Sequence, residues 1–345
     1  MDKPDRILLG HGSGGRLMRR LVDELIVKEF GMKGPLLDSA LLHLDGKFTA
    51  ENSRLAFTTD SYVVSPVFFE GGNIGDLAVN GTINDLAVCG AEPLAISAGF
   101  IIEEGFPLED LKKITSTMAK AARLAGVRIV TGDTKVVEKG KGDGIFINTS
   151  GIGIAASGVN LSPRNISPGD VIIVSGDVGS HGISVMAIRN GVDFEPPLAS
   201  DTRPLNGLVN AMLCLKGSLK VMRDPTRGGL ATVLKEFAVD SGLAMVIREK
   251  DIPAHPSVKG ACSLLGLDHL YAASEGVLMA IVSPSSADGM LEIMRANAAG
   301  CASAIIGGVV KPGRDYPSGS VILETAAGGE RMLDMLAGEQ LPRIC

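Results

Sequence analysis

A proline-bearing connector, Ser162-Pro163-Arg164-Asn165-Ile166-Ser167-Pro168-Gly169-Asp170, falls near the middle of the chain and limits most strongly what the chain can fold into. Each proline lacks an N–H and pushes the residue before it out of the helical region, so neither a helix interior nor a central strand can run through this stretch. A chain of 345 residues exceeds one ordinary core, and the break therefore predicts two domains, each a layered α+β unit. Hydrophobic residues make up 45% of the chain, ample for two cores, but tryptophan is absent and glycine occurs 44 times. The cores must be mainly aliphatic and the backbone must turn tightly and often.

Before the connector, residues 55–59 read as a strand ending on Asp60, 74–88 as a helix closed by Gly90, and 94–102 as a second strand. Pro107 opens the clearest helix, with Leu111, Ile114, Met118, Ala122 and Ala125 on one face and Gly126 as its stop. Residues 127–130 and 144–155 read as strands, too close together for strict βαβ alternation. After the connector, 171–174 reads as a buried strand, 176–182 as a glycine loop and 183–189 as helix. Asp224-Pro225-Thr226-Arg227-Gly228-Gly229 leads into a helix, and strands are predicted at 244–247, 277–282, 305–310 and 321–323, with a helix at 290–298. These patterns predict a glycine-rich segment and helix at 1–44, a first domain at 45–160, a second at 161–335 and a flexible tail at 336–345.

The net charge of -6, without a clustered Lys/Arg face, argues against nucleic acid. No apolar run approaches the roughly 20 residues of a membrane span, and no signal-peptide core follows the charged first residues, so a soluble cytoplasmic protein is expected. Cys89, Cys214, Cys262, Cys301 and Cys345 are odd in number, lack any CxxC pair, and suggest neither a disulfide framework nor a zinc site. Cys345 is the last residue, behind Gln340-Leu341-Pro342-Arg343-Ile344. A terminal residue carries a carboxylate and seldom reaches a core, which weakens a packing role and favours a nucleophile on a tether.

Asp60, Asp85, Asp133 in Thr131-Gly132-Asp133-Thr134, and Asp224 are expected at element ends, where their side chains can converge as oxygen ligands for a hard cation shared with phosphate. Capping a helix or turn is the commoner work of any single aspartate, and is the role expected for Asp76. Gly10-His11-Gly12-Ser13-Gly14-Gly15 precedes an amphipathic helix and offers backbone N–H groups to a phosphate, although the apolar run before it is too short for a dinucleotide-binding strand. Gly151-Ile152-Gly153-Ile154-Ala155-Ala156 matches the same pattern from inside a strand. Lys135 can neutralise a transferred phosphoryl group and Glu275 can act as a base, with solvated surface charge as the plain alternative for both. His11 and His181 lie in glycine loops within reach of phosphate. Neither a Walker A sequence nor a G-x-S-x-G elbow is present.

Taken together, the Gly10 to Gly15 run, Thr58-Thr59-Asp60, the segment from Gly75 to Pro93, Gly132-Asp133-Thr134-Lys135, Arg223-Asp224-Pro225-Thr226-Arg227-Gly228-Gly229-Leu230 and the final Pro342-Arg343-Ile344-Cys345 resemble the HypE family of hydrogenase maturation factors. That family sits in the aminoimidazole ribonucleotide synthetase (PurM-like) superfamily. The resemblance implies a two-domain PurM-like α+β fold that dimerises through its N-terminal domains. It implies ATP and Mg²⁺ as cofactors, with Gly12, Ser13, Gly14, Gly15, Asp60, Asn84, Asp85, Asp133, Thr134 and Asp224 at the nucleotide and Asp60, Asp85, Asp133 and Asp224 on the metal. It further implies that a partner, HypF, carbamoylates Cys345, that ATP-dependent dehydration with Lys135 and Glu275 turns the S-carbamoyl group into a thiocyanate, and that a HypC–HypD complex accepts the cyanide for a [NiFe]-hydrogenase. The alternatives are a small-molecule ATP-dependent kinase or synthetase of the same superfamily, and a scaffold whose tail only docks partners.

Overall fold

The computed structural model describes residues 15–26, 40–42, 54–155, 157–336, 338 and 341–345. Two sheets carry it. The first holds β1 (Ala40–Leu42), β2 (Arg54–Tyr62), β3 (Ala91–Glu103), β4 (Arg128–Val137) and β5 (Ile145–Ala155) in the order β1-β2-β5-β3-β4. All its pairings are antiparallel except β3 with β4. The second sheet has β6 (Val171–Val174), β7 (Leu219–Arg223), β8 (Ala244–Arg248), β9 (Met279–Val282), β10 (Ala304–Val310), β11 (Val321–Glu324) and β12 (Glu330–Leu333), ordered β12-β11-β8-β10-β6-β9-β7.

Helices cover one face of the first sheet. Helix α1 (Arg16–Leu21) precedes the sheet, and α2 (Ile74–Val88) lies across it. Asn73 caps α2 by accepting from Gly75 N at 2.8 Å, while Asp76 accepts from Asn73 N at 2.8 Å, the reciprocal box that fixes a helix start and the capping role expected of Asp76. Almost every residue of α2 is buried, because one side meets the first sheet and α3 (Leu108–Leu124) and the other meets α5 (Asn206–Met212) and β7 of the second unit. A helix apolar all round is one enclosed on all sides, and α2 is thus the seam between the two sheets.

Among the described residues no helix covers the other face of the first sheet. Alternation along β2 buries Ala56, Thr58 and Tyr62 toward α2 and exposes Phe57, Thr59 and Ser61 on the opposite side. Phe57, Ile101, Ile152 and Ile154 make that outer face apolar, each more than a third exposed. Strand β4 runs to Val137, past the end expected at residue 130, and Thr131 to Lys135 continue it as an edge strand. Gly132 does not break β4, because a Cβ there would lie 2.1 Å from the Ala98 carbonyl, and only glycine permits so close a strand approach.

In the second unit, α4 (Ser180–Arg189) begins three residues earlier than expected and takes His181 out of the glycine loop. Helix α6 (Gly229–Ser241) follows β7 through a turn in which Gly228 and Gly229 both have positive φ, at 82° and 62°. A Cβ on Gly229 would press on the Leu270 carbonyl at 2.5 Å, so the turn requires glycine on conformational and steric grounds alike. Helices α7 (Pro256–Leu265) and α8 (Ala287–Arg295) complete the unit. The five cysteines are free thiols, and no helix among the described residues is long and apolar enough to cross a membrane.

Candidate active site

The cleft between the two sheets collects the acidic residues. Thr58, Asp60 and Tyr62 project from the same face of β2, and Thr58 Oγ1 donates to Asp85 Oδ2 on α2 at 2.8 Å. Tyr62 is buried, and a Cβ on Gly81 would sit 2.1 Å from its hydroxyl. Gly81 therefore does more than loosen the helix: it admits the phenol. Burial first, then Asp60, Asp85 and Glu275, hold the Tyr62 phenol well above its usual range, which places these three carboxylates around one side chain.

From the second unit come Asp224, immediately after β7, together with Arg227 and Glu275. Arg227 lies 3.8 Å from Asp60. Glu275 is 2% exposed and its Oε1 has no hydrogen-bond partner. Burial, and after it Asp224, Asp201 and Asp60, lift its carboxyl well above the ordinary range, with Arg227 opposing. Its backbone is clamped: buried Asp201 Oδ2 accepts from Glu275 N at 3.2 Å and Gly276 N at 3.1 Å, while Asp201 Oδ1 accepts from His181 N at 3.0 Å. Asn84 completes the bracket by donating to Glu275 O at 3.2 Å and Arg203 O at 3.1 Å and accepting from Leu205 N at 2.8 Å. Both Asn84 donors thus tie α2 to the second unit.

The end of the chain lies inside this cleft. Contrary to the expectation for a terminal residue, Cys345 is 8% exposed and Ile344 3%, both within the core cluster of the first unit alongside Val185 and Ala273. The tail pairs with the segment after β2: Val63 N donates to Cys345 O at 3.0 Å and Ser65 N to Arg343 O at 3.2 Å. Arg343 Nε returns a bond to Val63 O at 2.9 Å, and its guanidinium also meets Asp143. His181 Nε2 bonds Ile344 O at 2.8 Å and its Nδ1 contacts Ser200 Oγ at 2.8 Å. A carbonyl only accepts, so Nε2 carries the proton and the neutral ring receives the Ser200 hydroxyl at Nδ1. Burial pushes the His181 pKa down to about 4, in keeping with that neutral form. Arg189 donates to Ser65 O, Pro342 O and Arg343 O. Burial raises the Cys345 thiol far above its usual value; Arg227 works against this, and Glu275, Asp60 and Asp224 add to it. The docked sulfur is a neutral thiol among acids, not an activated nucleophile.

Asp60, Asp85, Asp224, Glu275 and Cys345 converge; Asp133, Thr134 and Lys135 do not. Asp133 pairs in register with Gly99, and so lies three strands from β2 and on the outer face of the sheet. It is a mid-strand rather than strand-end residue, fully exposed, with Lys135 Nζ at 2.6 Å and Thr134 N at 2.9 Å holding its carboxyl below the usual range. Gly12, Ser13 and Gly14, with His11, lie outside the described residues; Gly15 is buried and accepts from Arg19 N at 3.0 Å. Among the described residues no three His, Cys, Asp or Glu side chains group closely enough to hold a metal alone. A Mg²⁺ ion does not require an all-protein cage, since it takes one or two carboxylates and completes its shell with phosphate oxygens and water.

Two family models divide the chain in the same way as the two sheets. The AIR synthase related protein N-terminal domain matches residues 37–155, and the corresponding C-terminal domain matches 167–318. The carbamoyl dehydratase HypE of Azotobacter vinelandii is 49% identical over 335 residues, 97% of this chain and 96% of that protein. The chain belongs to the HypE family. Among solved structures, HypE in a HypE–HypF complex is 45% identical, covers 92% of this chain and 99% of its own, and superposes with a TM-score of 0.84. HypE in complex with ATP is 44% identical, with coverage of 99% and 100% and a TM-score of 0.82. The two-domain PurM-like α+β architecture expected from the sequence is the fold of this family.

Sequence reasoning missed Tyr62, Asp201 and Arg189, and gave His181 the wrong environment. Arg227 stood inside a quoted motif without being singled out. Asp201 and Arg189 carry no motif signal, because the Glu275–Gly276 amides and the tail carbonyls they bind lie about 75 and 155 residues away along the chain.

Proposed function

We propose that this chain is an ATP-dependent carbamoyl dehydratase whose substrate is the S-carbamoyl group on its own Cys345, converted there to a thiocyanate. The single observation that carries this reading is the burial of Cys345 in the acidic cleft. A resting thiol gains nothing as a nucleophile there. An uncharged S-carbamoyl group on the same sulfur suits the desolvated pocket and sits beside a candidate acid–base residue.

The amide oxygen is a poor leaving group until it is phosphorylated. It attacks the γ-phosphorus of ATP, ADP departs, and one N–H proton is lost, leaving an S-bound imidate phosphate. Loss of the second nitrogen proton then expels phosphate, the amide oxygen leaves within it, and the C≡N bond forms. Glu275, whose carboxyl is held well above the ordinary range by burial and by Asp224, Asp201 and Asp60, serves the nitrogen. Arg227, 3.8 Å from Asp60, supplies positive charge toward the phosphoryl group. Mg²⁺, when bound, would screen the phosphates, with Asp60, Asp85 and Asp224 as its candidate ligands and Gly15 with the glycine run before it at the nucleotide end.

A buried sulfur is closed to another enzyme, so the tail leaves the cleft to receive its carbamoyl group from a HypF partner and again to deliver cyanide to a HypC–HypD complex. The apolar outer face of the first sheet and the unpaired edge of β4 are proposed as the surface joining two copies of the chain in the cytoplasm. Incubation with HypF, carbamoyl phosphate and ATP, read by mass spectrometry of the C-terminal peptide, is expected to give carbamoyl gain followed by loss of one water, with neither in Cys345→Ala. Retention of the mass pattern in Cys345→Ala would overturn the assignment.

A further inference from the structure

Arg189 stands at the last turn of α4, and nothing in the chemistry above uses it. Its three guanidinium nitrogens each donate to a carbonyl, from two separate segments: Nε to Ser65 O, Nη1 to Pro342 O and Nη2 to Arg343 O. A planar guanidinium fork suits such a task, whereas a lysine ammonium is a single point charge on a flexible stem. The tail it grips is under opposing pressure. Arg343 has φ of 50°, the one left-handed non-glycine residue among those described, a conformation that disfavours any residue with a Cβ. Of the contacts that hold Arg343 there, the ladder bond from Ser65 N and the bond from Arg189 meet the same carbonyl. Ser65, the other anchor, belongs to the segment that supplies the pairing edge for the tail.

We propose that Arg189 is the positioning residue of the tail: a clamp that fastens the strained Pro342–Arg343 turn to Ser65 and so sets how long Cys345 stays in the cleft. The clamp lies upstream of the sulfur and leaves the reacting atoms untouched. Weakening it favours the released tail, which speeds whatever needs Cys345 exposed and slows whatever needs it docked. This rests on the function proposed above for its catalytic arm but not for its accessibility arm.

The accessibility arm uses trypsin on the full-length native protein, following release of the Ile344–Cys345 dipeptide by cleavage after Arg343. Arg189→Met is expected to raise that rate by about tenfold, the equivalent of one net charge-assisted hydrogen bond, and Arg189→Lys by less. The catalytic arm measures the two half-reactions separately. Carbamoylation of Arg189→Met by HypF is expected at or above the wild-type rate, while dehydration per carbamoylated Cys345 falls about tenfold. A merely structural residue would slow both together or neither. Wild-type cleavage in a folded Arg189→Met protein, or parallel loss of the two half-reactions, overturns the clamp. If Arg189→Met does not fold, Arg189→Lys decides the matter, and an unchanged cleavage rate there counts against the proposal. If wild-type Cys345 takes up no carbamoyl group, the functional reading fails while the cleavage arm still decides the clamp.

Discussion

The neutral, buried His181 makes stability depend on pH in a way that can be worked through. Its pKa falls from 6.5 to about 4 because burial disfavours the imidazolium. With a depressed folded value, the unfolded chain binds the proton first. The stabilisation is therefore complete above about pH 6.5 and is lost as pH falls toward 4. At about 1.4 kcal/mol for each tenfold in proton affinity, the whole effect is about 3 kcal/mol, of which about 2.5 kcal/mol is gone at pH 4.5. With an unfolding entropy near 2.1 cal/mol/K per residue, that loss lowers Tm by about 3 to 4 °C for a chain of this length unfolding as one unit. Calorimetry at pH 7.5 and 4.5 on wild type and His181→Gln tests it. The wild type is expected to lose about 3 to 4 °C more than the variant between the two conditions, other titrating groups being common to both. Parallel pH profiles would refute the argument that His181 is held neutral under the tail.

Three further outcomes follow from the same geometry. Glu275→Gln is expected to slow dehydration by about 10² to 10⁴ while leaving carbamoylation intact. Because the fold raises the Glu275 pKa, the carboxyl stabilises at low pH and costs stability as pH rises, so denaturation at pH 8 is expected to find Glu275→Gln at least as stable as wild type; a markedly less stable variant would contradict that sign. Asn84→Ala strands Glu275 O, Arg203 O and Leu205 N at the seam, a loss of about 2 to 4 kcal/mol in urea unfolding, and displaces Glu275 as well. Gly81→Ala puts a methyl group 2.1 Å from the Tyr62 hydroxyl, for which overpacking of about 1 to 3 kcal/mol is expected and a neutral result would show that the phenol can move.

Local signals carried far in this sequence. Helix α2 was legible from residue 74 to 88 because its start and stop are local: a capping box at Asn73 and Asp76, and Gly90 at φ 75° just beyond its end. The limits of β4 were not, since Gly132 reads as a break unless the opposing Ala98 carbonyl is known. The acidic site was half legible. Asp60, Asp85, Asp224 and Glu275 stand out by type and position, but which of them meet depends on sheet order, and β4 at the edge carries Asp133 away from the rest. Leu341 and Ile344 give the tail apolar side chains with which to dock, but where it docks was not legible. The partners of residues 342–345 are Val63, Ser65, Asp143, His181 and Arg189, no pattern links them along the chain, and the general rule that termini stay exposed points the other way.

The central claim is that ATP activates the carbamoyl oxygen on Cys345 and carries it off as phosphate. The direct measurement starts from Cys345 carrying, through HypF, a carbamoyl group labelled with oxygen-18 at the carbonyl, removes HypF and excess reagents, adds ATP for a single turnover and analyses the products. Cys345 is expected to be left as a thiocyanate and the label to appear in inorganic phosphate, one labelled oxygen for each cyano group formed. Label recovered in water, or a thiocyanate formed without ATP cleavage, would contradict it.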